Sequence, residues 1–509
     1  MPPQTIRPKV GIVSFTDGRD SFFDGPREQD LRARHGELAR ILSEHGCEVV
    51  DPMAELRPDP EGWFGVRRYN EAAACARYLL AHGAECMVLC SHFWTPPMVV
   101  IDVVREANLP VMLYTDDDPL MPGTVSISAV GASLLESGVN QHAIQHERLR
   151  GHPERMLPWI RGVAAVARMR KSAVMLWGGT YSLHMEHLQD DIPALKRLMI
   201  RDILNEDEYA LIRRAEAILR DQPERVEHFL GWLNGNGAIV IYDDVSATPR
   251  HFRVQVAYYL AARDRLHELE SENIIGVSIR CQPALSVEYG IVGCTLPAFL
   301  PFGADDLGPK PIFSTVCEGD IKGLMTSVLL QQLRPDVGPI FGDLKYVGED
   351  FFAISNCGAA SVWWAGKSND PAQSLPNVTI RANVDGFTGA AVGFLGKAGP
   401  VTTARLGRVK GKYVMHLGVG ESVAVEGAVK DKVMRFFGQM WPNVYIRLGT
   451  DPDLLFRVAT SNHPVATDGD VAQEVTYACR QLGIPIVRLD SNDSMRDYLD
   501  QLAAGSREA

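Results

Sequence analysis

Two carboxylates close the segment Ser314-Thr-Val-Cys-Glu-Gly-Asp320, where a short apolar run ends in Glu318 and Asp320 and a helical pattern begins. Strand C-termini in parallel sheets face an open crevice at which helix N-termini point, so acids there are placed for ligand chemistry. The plainer reading is that Asp320 caps the helix and Glu318 favours its dipole. A second apolar run, Pro339-Ile-Phe-Gly-Asp343, also ends in an acid. Between Glu318 and Asp343 there is room for one helix, over 321–333, then a turn and a strand. A right-handed crossover of that length sets both carboxylates at the same edge of one sheet. Carboxylates held that close either share a proton or bind a cation. The third donor is His463, alone in the polar loop Ala459-Thr-Ser-Asn-His-Pro464. A lone histidine is more often a satisfied imidazole than a ligand. With two carboxylates, however, it makes a hard-to-borderline donor set suited to Mn²⁺, with open positions for substrate oxygens.

The surrounding pattern supplies strands and helices to hold these residues. Apolar runs at Lys9–Phe15, Cys47–Val50, Cys86–Cys90 and Pro110–Tyr114 alternate with helical spacing over 28–45, 67–82 and 98–107. Such alternation predicts parallel βαβ units in a doubly wound sheet. A long helix is expected over 140–170. The pattern then restarts at Ser172–Trp177 and continues through Ala238–Tyr242, Ile274–Ser278 and Pro311–Thr315. Beyond about residue 345, short β-rich runs separated by glycines suggest a small barrel or sandwich. A final helix is expected near 471–482, an Ile484–Leu489 run closes the chain, and residues 503–509 are expected to fray. The fold class is therefore α/β: two doubly wound parallel-sheet domains, 1–168 and 169–345, followed by a β-barrel-like domain, 346–509.

The 509 residues are too many for one core, and a 46% hydrophobic, 22% charged composition is ordinary for a globular chain. A net charge of −12 argues against nucleic acid, which needs a basic face, but not against a small anion bound by a local arginine cluster. No apolar stretch suits a signal peptide or a membrane span. The nine cysteines are scattered without CxxC pairs, which fits reduced thiols in a cytoplasm.

Taken in order, Cys317-Glu-Gly-Asp-Ile-Lys-Gly323, Phe341-Gly-Asp343, Asn356-Cys-Gly358, Trp441-Pro442, Ser461-Asn-His463 and Asp468-Gly-Asp470 resemble the L-fucose isomerase family. Upstream, Thr16-Asp-Gly-Arg19, Cys90-Ser-His-Phe-Trp94 and Arg280-Cys-Gln282 extend the resemblance over nearly the whole chain. It implies a metal-dependent aldose–ketose isomerase of the L-fucose/D-arabinose type, working by cis-enediol proton transfer between C1 and C2. Glu318, Asp343 and His463 would be the metal ligands, with Glu318 and Asp343 also the acid–base pair. Arg19, Trp94, Gln282 and Asn462 would orient the sugar. The family's example brings Arg19 and Trp94 from a neighbouring subunit, so a homo-oligomer, specifically a hexamer, is expected. Asn356 departs from the histidine that related sequences carry there, which leaves the sugar open.

The alternatives are the same chemistry on an anionic 6-substituted hexose, such as sulfoquinovose, and a non-catalytic sugar sensor. Among other residues, Gly235-Asn-Gly237 reads as a turn and Trp177-Gly-Gly-Thr180 as either a turn or a ligand approach. Trp363-Trp364 reads as core or subunit interface. His92 is a lesser substrate candidate, His416 reads as strand filler, and Glu421 follows that strand.

Overall fold

Five strands, Lys9–Ser14, Glu48–Val50, Cys86–Cys90, Val111–Thr115 and Glu147–Arg150, form a parallel sheet in which the first strand lies between the second and third. The computed structural model describes residues 6–504 apart from 58, 60, 121, 139–145, 384–385, 428–430 and 432–440. Cys86–Cys90 is buried at every position, as an unbroken apolar run must be when helices cover both sheet faces. Val13, Leu31, Leu79 and Val103 fill one face; Ile12, Leu42, Val88 and Trp159 fill the other. Contacts group residues 6–168 with 473–484 into one compact unit, so the late helix Ala472–Leu482 packs largely within it, with Tyr477 against the second of these faces.

The single helix expected over 140–170 is instead the strand Glu147–Arg150 and the helix Leu157–Met169, while part of that stretch, 139–145, lies outside the described residues. Gly151, at φ +60°, and Pro153 separate the two elements.

Residues 169–472 and 485–504 belong to a second unit. Its first layer is a four-stranded parallel sheet in the order Ser314–Cys317, Ile274–Ile279, Ala173–Trp177, Asp202–Glu206. The run at Ala238–Tyr242 was expected in this sheet. Only Ile239 and Val240 form a strand there, and they pair with Thr379 and Ile380 of another sheet. Asp202–Glu206 takes the edge position, where half-exposed residues tolerate its polar composition and blur its strand signal.

The other layer is an eleven-stranded mixed sheet. Its spine is the hairpin Gly399–Val409/Lys412–Ser422, paired in continuous antiparallel register. The expected barrel is not seen as a closed ring among the described residues. Lys412–Ser422 is 11 residues long, and its outer edge serves Ile486–Arg488 at one part and Pro442–Arg447 at another, so the sheet branches. A helix, Asn492–Ala504, follows the run expected to close the chain, and residues 505–509 lie outside the described ones. Trp363 and Trp364 are core residues, and Trp364 Nε1 donates to Gly338 O at 2.9 Å. All nine cysteines are free thiols, and among the described residues no helix is long and apolar enough to cross a membrane.

Candidate functional site

Two strand pairings bring the predicted donors together. Ser314–Cys317 pairs with Ile274–Ile279 so that Cys317 lies opposite Ile279, and Glu318 follows at the C-terminal edge of the parallel sheet. Ile340–Phe341 runs antiparallel to Val465–Asp468 with Phe341 opposite Val465. Asp343, two residues beyond, and His463, two residues before, therefore leave that pair at the same end. The two carboxylates thus come from different sheets. The expectation of one shared sheet fails because Ile340–Phe341 finds its partner in the mixed sheet, although the connecting helix, Ile321–Leu333, is where it was expected.

His463 is the centre. Its Nε2 lies 3.1 Å from Glu318 Oε2 and 3.5 Å from Asp343 Oδ1, and its Nδ1 lies 2.9 Å from Asp320 Oδ2. The ring is 1% exposed, and Phe341 packs on it with ring centroids 4.7 Å apart. Burial alone would suppress its charge, but hydrogen bonds to Asp320, Asp343 and Glu318 outweigh burial and raise its pKa well above the usual histidine value. Asp343 is likewise opposed by burial, yet His463 holds its pKa below the ordinary range. Among the described residues, no group of three or more His, Cys, Asp or Glu side chains is laid out to hold a metal ion as it stands. Here His463 meets both of the other donors, with Nε2 facing each carboxylate.

The backbone around Glu318 is unusual. Glu318 has φ +62° and Gly319 φ +66°, a left-handed pair rarely adopted by a non-glycine residue. A Cβ on Gly319 would meet Tyr181 N at 2.4 Å, because the loop after Ala173–Trp177 lies against it and Tyr181 N donates to Gly319 O at 3.0 Å. That loop, opened by the Trp177-Gly-Gly-Thr180 segment, carries further positive φ at Tyr181, Leu183 and His184. It delivers His187, whose Nε2 donates to Asn462 Oδ1 at 2.7 Å, while Asn462 Nδ2 donates to Asp343 Oδ1 at 3.1 Å. Asn462 thus buttresses a predicted ligand. His187 carried no motif that could single it out. A cavity of about 450 Å³ opens beside it, lined by Glu186, Asp190, Lys322 and Arg408 among others. Its charged and polar lining suits a polyhydroxylated ligand better than an apolar one.

Gln282 is half-buried just beyond Ile274–Ile279 in the same unit. Arg19 and Trp94 belong to the other unit, at the ends of its first and third strands. Trp94 is 38% exposed there, and Arg19 is held by Asp17. His92 is buried with Nδ1 2.7 Å from Asp116 Oδ2. Asn356 lies behind Glu318, donating to Cys317 Sγ at 3.5 Å. His416 is buried in its strand and its pKa falls to about 4, chiefly through burial.

Residues 354–490 match the family described as "L-fucose isomerase, C-terminal domain". His463 and Asn356 lie inside this matched segment, and Glu318 and Asp343 precede it. Among curated proteins, the chain is 24% identical over 232 residues to a sulfoquinovose isomerase of Alkalicoccus urumqiensis, covering 44% of this chain and 46% of that protein. It is 28% identical over 162 residues to sulfoquinovose isomerases of Priestia aryabhattai and Priestia megaterium, covering 31% of this chain and 32% of each relative. The matched stretch therefore spans less than half of each relative's length.

Proposed function

We propose that the protein is an aldose–ketose isomerase that works with a divalent cation, Mn²⁺ or a chemical relative, held by Glu318, Asp343 and His463. The observation that carries this reading is the meeting of those side chains, with one imidazole nitrogen facing both carboxylates and the other taken by Asp320. A buried nitrogen so surrounded needs a proton or a cation between itself and the carboxylates. The donor set suits a hard-to-borderline ion, which would take the place of that proton. Bound there, the ion would polarise a sugar carbonyl and stabilise developing oxyanion charge, typically worth several kcal/mol.

The chain's own groups do the proton work. Glu318 and Asp343 form the base and acid pair that moves a proton between C2 and C1 through a cis-enediol, a contribution of roughly 10²–10⁴-fold. Asn462 keeps Asp343 oriented, and Gln282 meets the sugar hydroxyls. Arg19 and Trp94 complete the pocket from a neighbouring subunit of a homo-oligomer, a hexamer by the family's example. Free thiols support a cytoplasmic setting.

For the substrate, an anionic 6-sulfonated hexose is favoured over a neutral L-fucose- or D-arabinose-type sugar, because the matched relatives are all named sulfoquinovose isomerases. Aldoses that differ only in a C6 sulfonate, assayed for ketose with Mn²⁺ present, test both parts. Ketose from the sulfonated sugar is expected. Faster conversion of neutral sugars overturns the substrate, and no ketose from any aldose overturns the activity.

A further inference from the structure

Asp320 was expected only to cap a helix, and it does accept from Gly323 N at 2.8 Å. It also does something a cap does not require. Its side chain is fully buried and accepts a fork from Arg405, Nη1 to Oδ2 at 2.6 Å and Nη2 to Oδ1 at 3.0 Å. The same Oδ2 accepts from His463 Nδ1 at 2.9 Å. Arg405, 4% exposed, reaches this point because Gly399–Val409 pairs with Val465–Asp468 with Ala404 opposite Val465. There is no slack around the group. A Cβ on Gly323 would lie 2.7 Å from Arg405 Nη1 and 2.8 Å from Asp320 Oδ2.

A bidentate guanidinium fixes the plane of a carboxylate as well as its charge. An ionised carboxylate can only accept, so His463 must carry its proton on Nδ1. The remaining nitrogen, Nε2, is then turned toward Glu318 and Asp343. We propose that Asp320, clamped by Arg405, is the positioning residue that fixes the orientation and protonated nitrogen of His463 and so sets its strength as a metal ligand. This rests on the metal reading above.

The test is calorimetric Mn²⁺ binding, together with Co²⁺ absorption spectra, on purified full-length protein, on Asp320→Asn and on the paired variant Asp320→Asn/Arg405→Met. The paired variant removes the buried arginine that Asp320→Asn alone would leave uncompensated, so it keeps the test usable if the single variant folds poorly. Loss of such a supporting group typically weakens metal binding 10–100-fold. That loss is expected in both variants, with an altered Co²⁺ spectrum, while the paired variant regains melting temperature. Wild-type affinity in either folded variant overturns the proposal, because Asp320 is then only a cap and an ion-pair partner. Wild-type protein that binds neither ion overturns the metal reading and this proposal together.

Discussion

Glu318 Oε2 lies 3.1 Å from His463 Nε2, although the two residues come from the ends of strands in different sheets. The two carboxylates are also not equally open, since the side chain of Glu318 is 15% exposed and that of Asp343 is 32%. Replacing either should remove chemistry and leave the fold. Glu318→Gln and Asp343→Asn are each expected to lower kcat by at least roughly 10²–10⁴-fold, with circular dichroism unchanged. Near-wild-type rates in either variant contradict the assignment.

Protons and metal compete for His463. Its folded pKa is raised by three carboxylates against burial, so the metal-free fold holds the proton through neutral pH. The raised value contributes stability that is fully present below the unfolded pKa near 6.5 and is lost as pH rises through the folded pKa. Mn²⁺ binding at pH 7 should therefore release about one proton and tighten further as pH rises above 7. Calorimetry in buffers of different ionisation enthalpy reads this directly. An affinity that is flat above pH 7 contradicts it.

Glu208, at the start of helix Glu208–Asp221, is 2% exposed, and neither carboxylate oxygen has a well-formed hydrogen-bond partner. Burial pushes its pKa up to about 8, and Arg280 offsets only part of that. The unfolded chain loses this proton first, so Glu208 erodes stability as pH rises from about 4.5 to 8. Glu208→Gln should stabilise the protein by about 2–4 kcal/mol at pH 8 and by almost nothing at pH 4. Equal melting shifts at both pH values would rule this out.

Arg405 and Asp320 are both nearly inaccessible, so removing one leaves a buried charge. Arg405→Met alone is expected to cost about 3–5 kcal/mol, measured by denaturant unfolding. A loss below 1 kcal/mol would mean that the pair is solvated in solution.

If Trp94 contacts the sugar as proposed, Trp94→Ala should raise KM for the sugar while bound metal per chain stays at the wild-type level. A fall in metal content with unchanged KM contradicts that role.

How much of this was legible follows from how far each contact reaches along the chain. Glu318 and Asp343 were readable because an acid closing an apolar run is a local pattern. His463 gained meaning only from its order among the other motifs. Asp320 was readable as a cap through Gly323, three residues away, but its partners Arg405 and His463 depend on the register of Gly399–Val409 against Val465–Asp468. The one available signal was an arginine set among small and apolar residues in Thr402-Thr-Ala-Arg-Leu-Gly407. His187 depends on a loop with successive positive φ values that no residue pattern there announces. Strand spacing suggested a barrel, but it carries no information on closure. Among the described residues, the outer edge of Lys412–Ser422 takes two partners, and the sheet branches there instead of showing a closed ring.

The most direct measurement of the central claim is metal content per chain, by atomic absorption after Mn²⁺ loading and removal of free ion. About one Mn²⁺ per chain is expected in the wild type and in His416→Ala, since His416 sits in its strand near Thr460 and Tyr498 and serves no ligand. Glu318→Gln, Asp343→Asn and His463→Ala are each expected to fall to near zero. Full metal content in His463→Ala, or its loss in His416→Ala, would contradict the account.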